Sequence, residues 1–282
     1  MKTVVWTILA LVAFAANSIL CRLALGEGVI DASSFTSIRL FSGIAMLVVI
    51  SLVMQPKTLV AKPQGSWISA VALFIYAIAF SYAYTILDTG TGALILFSAV
   101  QITMILVGAL QGNRPSRKEW VGLVISFVGF VYLVLPNVAT PSLLGFVLMT
   151  MSGIAWAFYT LSGANSKNPL ADTTYNFVRT FPLIVILVGS TISYMELSWK
   201  GVLLAGSSGA VASGLGYTIW YVALRKLSTV KAAITQLLVP VIATVGGVLF
   251  VDEVLSMRLV ISSLLVLGGI LLVIVSKREA VD

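Results

Sequence analysis

Ser34-Phe35-Thr36-Ser37-Ile38-Arg39-Leu40-Phe41 returns near the middle of the chain as Thr174-Tyr175-Asn176-Phe177-Val178-Arg179-Thr180-Phe181. Each copy sets an arginine and an aromatic early in a long apolar run, and each follows a polar turn with an aspartate, Asp31 or Asp172. The two arginines stand 179 − 39 = 140 positions apart, about half of the 282 residues. The chain therefore reads as two copies of one plan, with one cation inside an apolar stretch of each half.

The surroundings of these two stretches are those of a membrane protein. Hydrophobic residues make up 59% and charged residues only 10%, with a mean hydropathy of +1.07. Soluble domains carry about a quarter charged residues. Ten apolar stretches have the length of roughly twenty residues that crosses a bilayer: 3–25, 32–54, 66–87, 91–111, 118–135, 142–163, 173–194, 201–223, 230–250 and 257–276. The predicted fold class is an all-α polytopic membrane protein with ten transmembrane helices.

Charge placement orients the bundle. Of 17 Lys and Arg, twelve fall in connections on one side, among them Lys2, Lys57, Arg114, Lys167, Arg225 and Lys277. Three, Arg22, Lys200 and Arg258, fall on the other, and Arg39 and Arg179 lie within spans. This positive-inside bias places both termini in the cytoplasm and the protein in the cell membrane as a multi-pass chain. The net charge of +7 is thus spread over short loops facing lipid headgroups, and no nucleic-acid partner is expected. The sequence has no histidine and one cysteine, Cys21. That removes imidazole metal ligands, histidine triads and an intramolecular disulfide; no metal, cofactor or enzymatic activity is expected.

Two local look-alikes need weighing. Met1-Lys2 and an apolar run to Ala13-Phe14-Ala15 imitate a secretory signal, but the run continues to Leu25 and matches the sixth span, Phe14 and Asn17 corresponding to Trp156 and Tyr159. It is read as the first transmembrane helix. Asp88-Thr89-Gly90 imitates an aspartic-protease signature, yet it falls in a glycine-rich turn between apolar spans. It is read as a turn.

Pro136 to Pro141 is the natural boundary between the halves, giving a first repeat over 1–138 and a second over 139–282. Five spans per half is an odd number, so the second copy enters the membrane from the opposite side. Inverted repeats of this kind build secondary transporters with a substrate site near the midplane.

With these residues in place, the chain resembles the EamA type of the drug/metabolite transporter superfamily. The resemblance rests on the aromatic-x-x-Asn/Tyr element of spans one and six and on the arginine early in spans two and seven. It also rests on Asp252-Glu253-Val254-Leu255-Ser256 before the last helix. The family usually carries that glutamate in both halves, whereas the first half here has Gly112-Asn113-Arg114-Pro115-Ser116. The resemblance implies ATP-independent transport of a metabolite or amino acid, most often outward.

The candidate substrate-binding residues are Arg39, Arg179, Asn17, Gln101, Trp156, Tyr159, Tyr82, Tyr217 and Trp220. A cation within a span is costly unless paired, hydrated or close to the interface. Each arginine either lines an aqueous cavity and binds a carboxylate, or snorkels near its helix end and ties neighbouring termini together; snorkelling is the expectation. The aromatics either wall a pocket or pack between helices. Tyr84, near a helix end, is expected in an interfacial belt. Tyr76, Phe80 and Tyr84 share one helical face.

The function expected is a secondary transporter that moves a small metabolite, an amino acid or related zwitterion, outward by alternating access. The rival readings are an importer of a vitamin, nucleoside or similar aromatic metabolite, and a lipid-linked sugar flippase. The expected partners are a small-molecule substrate and the lipid bilayer.

Overall fold

A computed structural model describes residues 2–55, 64–111, 116–134, 141–163, 166–224 and 235–279. The described residues form ten helices in sequence: α1 (Lys2–Gly26), α2 (Ala32–Met54), α3 (Trp67–Tyr84), α4 (Thr89–Leu110), α5 (Arg117–Val134), α6 (Leu143–Gly163), α7, α8, α9 (Leu238–Phe250) and α10 (Met257–Glu279). Helix α7 is Pro169–Arg179 continued by Phe181–Thr191, and α8 is Trp199–Ser207, Ser208–Leu215 and Gly216–Leu224. Eight of the ten are long and apolar enough to cross a membrane. The other two are α5, with Arg117, Lys118 and Glu119 in its first turn, and α9, whose described helix has 13 residues. The first part of the expected ninth span, 230–234, lies outside the described residues.

Polar residues decide where the helices begin. The Asp31 carboxylate accepts from the backbone N–H groups of Ser33 and Ser34 and starts α2. Ser66 starts α3, Asn168 starts α7 with Pro169 at the first position, and Ser198 starts α8. Each satisfies a backbone donor that the first turn leaves orphaned. Pro182 accounts for the interruption of α7: it has no N–H to give the carbonyl of Val178, and the helix restarts at Phe181. In α8 the stretch Ser208–Leu215 winds as a π-helix, a wider turn often found at functional positions.

Packing turns this list into one body. Helix α3 and helix α4 both lie along α6, α2 lies on α8, α1 on α8 and α9, α4 on α9, and α5 on α10. Every one of these pairs joins the first five helices to the last five, so the halves interleave. Outward-facing Val53, Ile68, Leu110, Phe127, Ile186 and Leu264 are exposed, the arrangement expected where the surroundings are lipid. The interior instead collects small polar residues, including Ser18, Thr36, Ser81, Ser98, Ser152 and Ser208, all 1% exposed or less. Short polar side chains and glycines let membrane helices approach closely and bond across the contact. Helix α1, the signal-peptide look-alike, contributes Ala10, Ala15, Cys21 and Ala24 to the fully buried core.

The helices alternate in direction, which puts the start of α1 and the end of α10 on one face, here the terminal face, and the turns 27–31, 85–88, 192–198 and 251–256 on the other, the far face.

Candidate functional site

Arg39 is carried by α2 into the middle of the bundle, where it is 2% exposed. Its Nη2 donates to the Tyr76 hydroxyl at 2.8 Å. Its guanidinium carbon lies 5.2 Å from the Tyr76 ring centroid and 4.7 Å from that of Phe80. A cation desolvated over aromatic faces gains about 2 kcal/mol from such contacts, well short of what burial of a charge removes. Among the described residues Nη1 makes no hydrogen bond, and Arg39 forms no ion pair. The snorkelling expectation is therefore corrected for Arg39: the helix register turns it inward onto α3 before its stem can reach an interface.

The same register assembles a wall of rings. Trp156 of α6 lies 4.7 Å from Tyr76, 5.2 Å from Tyr159 and 5.2 Å from Tyr217 between centroids. The Trp156–Tyr159 pair is stacked, at an interplanar angle of 29°. Phe14 of α1 meets Tyr217 and Trp220 of α8 edge-on, and Phe177 of α7 closes on Tyr217 at 6.1 Å. The i, i+3 and i, i+4 spacings that suggested shared faces are what bring these rings together. Arg39, Trp156, Tyr159, Tyr217 and Trp220 thus form one cluster, with Tyr76 and Phe80 added to it.

The remaining candidates lie elsewhere. Asn17 is buried and its amide spans α1 and the π-helical part of α8: Nδ2 donates to Ser213 Oγ at 3.3 Å, and Oδ1 accepts from Ser208 Oγ at 2.7 Å. Gln101 is buried on α4. Tyr82 is 40% exposed, with its hydroxyl 2.8 Å from Ser33 Oγ near the far face. Arg179 is half-buried at the terminal face, donates to the Gln64 carbonyl and lies over the Tyr175 ring at 5.7 Å. It ties helix ends together, as the snorkelling reading expects. Tyr84, expected in an interfacial belt, is fully buried; its hydroxyl donates to the Thr89 carbonyl at 3.2 Å, so α3 ends inside the bundle.

Both faces are laced shut around the cluster. On the terminal face, Gly65 N–H donates to Asp172, Ser66 N–H to Asn176, and Asn168 to Gln55. On the far face, Ile30 and Leu197 form an antiparallel bridge. There the Asp31 carboxylate accepts from the Glu196 N–H, Ser198 donates to the Val29 carbonyl, and Lys200 pairs with Glu27. Partial burial pushes the Asp31 carboxyl up, but hydrogen bonds from Ser34, Glu196 and Ser33 outweigh it and hold it below the usual carboxylate range. Beside this lacing a cavity of about 420 Å³ opens between α4, α9 and the turns, lined by Asp88, Thr91, Ser142, Thr244, Glu253 and Leu259.

Sequence reading missed Tyr76 and Phe80 as partners of the arginine. Their shared helical face was visible, but nothing in the sequence says which neighbour that face meets. It also gave Glu253 only as part of the stretch before the last helix, with no partner, whereas its carboxylate reaches back to Thr89 on α4.

The comparisons with known proteins agree with this architecture. The model of the EamA-like transporter family matches residues 1–135 and again 143–275. An uncharacterized protein of Pseudomonas aeruginosa is 45% identical over 277 residues, covering 98% of this chain and 96% of its own. A probable amino-acid metabolite efflux pump of Escherichia coli K12 is 24% identical over 199 residues, 65% of this chain and 67% of that protein. One solved crystal structure covers 97% of this chain and 99% of its own with a TM-score of 0.64 at 15% identity, a likeness of fold. Two matched repeats, interleaved helices of membrane-spanning length and a polar, aromatic centre make this chain a member of the EamA-like transporter family, a multi-pass membrane transporter and not an enzyme.

Proposed function

We propose that the protein is a secondary transporter that exports a small metabolite bearing a carboxylate, an amino acid or related zwitterion, by alternating access across the cell membrane. The observation that carries this reading is Arg39. A buried guanidinium that has, among the described residues, an unused donor at Nη1 and no acidic partner favours an anionic ligand, since bidentate carboxylate binding matches its fork. The aromatic wall beside it offers stacking for the rest of such a molecule. Relatives named as amino-acid metabolite efflux pumps in Escherichia coli and Salmonella typhimurium support the substrate class and the direction. The excess of Lys and Arg that the sequence carries in alternate connections supports cytoplasmic termini. The stacked Trp156 and Tyr159 favour a second reading, uptake of an aromatic metabolite such as a vitamin or nucleoside.

The test is mass spectrometry of the medium from cells overexpressing the wild type, Arg39→Ala or Arg179→Ala at equal level. Export predicts a class of carboxylate metabolites outside the cell that Arg39→Ala removes and Arg179→Ala retains. If the medium is unchanged and labelled aromatic metabolites enter proteoliposomes instead, the uptake reading replaces it.

A further inference from the structure

Helix α4 begins without a cap of its own. Asp88, in the capping position, makes no side-chain bond to the first turn. The cap comes from 164 residues away: the Thr89 N–H donates to both Glu253 carboxylate oxygens at 2.8 and 2.9 Å, and the Thr89 hydroxyl donates to Oε1 at 2.9 Å. Arg22 of α1 adds its Nε to Oε1 at 3.3 Å, gives Nη1 to the Tyr84 carbonyl at 3.2 Å and approaches Asp88 at 3.6 Å. Asp252, at φ 55°, turns the chain so that the Glu253 side chain points back onto α4. On α9 the position facing the carboxylate is Gly247, where a Cβ would lie 2.3 Å from Oε2. The carboxylate thus has a fitted seat, and it also lines the far-face cavity.

We propose that Glu253 is a proton-binding site that controls opening on the far face. This inference rests on the transport reading above and supplies the ion that reading leaves unassigned. An ionised carboxylate only accepts, and here it meets three donors: the Thr89 N–H, the Thr89 hydroxyl and Arg22. A proton taken from the cavity turns one oxygen into a donor: on Oε1 it meets the Thr89 N–H, the Thr89 hydroxyl and Arg22, on Oε2 it meets the shared Thr89 N–H, and on either it cancels the charge that Arg22 and the start of α4 hold, so the turn loosens from α4. Arg22 keeps Asp88 as its counter-charge. The titratable and charged groups facing the carboxylate are Arg22 from α1, Tyr84 at the end of α3, and Asp88 before α4; Asp252 stands on its own turn, while α4 and α9 present the uncharged Thr89 and Gly247. The corresponding stretch of the first half, 112–116, carries no acid, so the device belongs to one face alone. The ladder of rings Tyr84–Phe80–Tyr76, with centroids 4.8 and 5.5 Å apart, runs from this seat to Arg39.

The test is hydrogen exchange by mass spectrometry on the full chain in lipid nanodiscs, over an acid-to-neutral pH series corrected for intrinsic rates. Peptides covering 84–92 and 251–257 report on the latch, and those within α5 and α10 confirm an intact fold. In the wild type, exchange in the two latch peptides should rise on acidification beyond the intrinsic change. Glu253→Gln should exchange about tenfold or more faster at neutral pH, the scale of losing a charge-assisted hydrogen bond, and lose the pH response. Gly247→Ala, which evicts the carboxylate without changing charge, should be open at every pH. A wild type with no excess pH response overturns the proposal without reference to any variant, as does a Glu253→Gln protein that retains one. Substrate counterflow in proteoliposomes of the same preparations is scored separately. Counterflow with a pH-blind latch removes this inference and leaves transport standing; a responsive latch without counterflow does the reverse.

Discussion

Arg39 and Arg179 occupy matching places in the two repeats and do different work. One is buried among rings with a donor that meets no acceptor among the described residues, and the other seals a helix end against the Gln64 carbonyl. Arg39→Lys should lower transport at least about tenfold, because an ammonium cannot hold Tyr76 and a carboxylate together as a planar fork does; proteoliposome flux at equal protein measures it. Arg179→Ala should instead leave flux nearly intact and lower the thermal midpoint of the purified protein. Asp31 carries a pH prediction. Its folded-state carboxyl titrates below the usual range, so its contribution is present above the unfolded value of about 3.9 and is lost as pH falls through the lower folded value. Asp31→Asn should flatten the acid-side fall in thermal midpoint relative to wild type. What the sequence discloses at this scale is residue type and position. Burial of Arg39 against the helix-end contact of Arg179 was not legible, because both sit a few residues inside an apolar run and only the neighbours decide.

The capping roles of Asp31, Ser66 and Ser198 emerged only from the structure, whereas hydropathy gave the number and order of the helices. The interruption of α7 was also visible, since Pro182 forbids a continuous ladder. The π-helical turn of α8 was not, although the Ser213-Gly214-Leu215-Gly216 stretch marked a place where backbones meet closely. Its purpose is suggested by Asn17, which bonds both Ser208 and Ser213 at its two ends. Asn17→Ala would strand both hydroxyls in the interior. The expected loss is about 1 kcal/mol of stability, the scale measured for hydrogen bonds between membrane helices, together with altered exchange confined to α8. A melt of the purified variant beside wild type checks the first, and peptide-resolved exchange the second.

At the scale of the molecule, the duplication was legible because Ser34–Phe41 returns as Thr174–Phe181, whereas the interleaving was not: no residue pattern announces that α3 lies along α6 or α2 along α8. Interleaving places the centre between elements of opposite repeats, so relative motion of the halves can open either face. The far face is held partly by charge, through Glu253, Arg22, Lys200 and Glu27. The described lacing of the terminal face is made largely of hydrogen bonds to backbone and amide groups. Asn176→Ala, which removes the acceptor for Ser66 N–H, should raise accessibility on the terminal face alone. Thiol labelling of a cysteine placed at Ser66, in a chain with Cys21→Ser, reads this out. The pairing of α5 with α10 is tighter still. A Cβ on Gly122 would fall 2.5 Å from the Gly269 carbonyl oxygen, and Ser126 donates to the Val266 carbonyl at 3.1 Å. Those two helices end their respective repeats, and 256 − 134 = 122 residues separate the end of one from the start of the other. At the usual pace of about 5–20 residues per second, α5 sits in the bilayer for many seconds with its small-residue face against lipid before its mate leaves the ribosome. A helix made long after the first repeat is therefore the one that covers the small-residue face of α5, and a nascent chain cut short before α10 carries that groove unfilled.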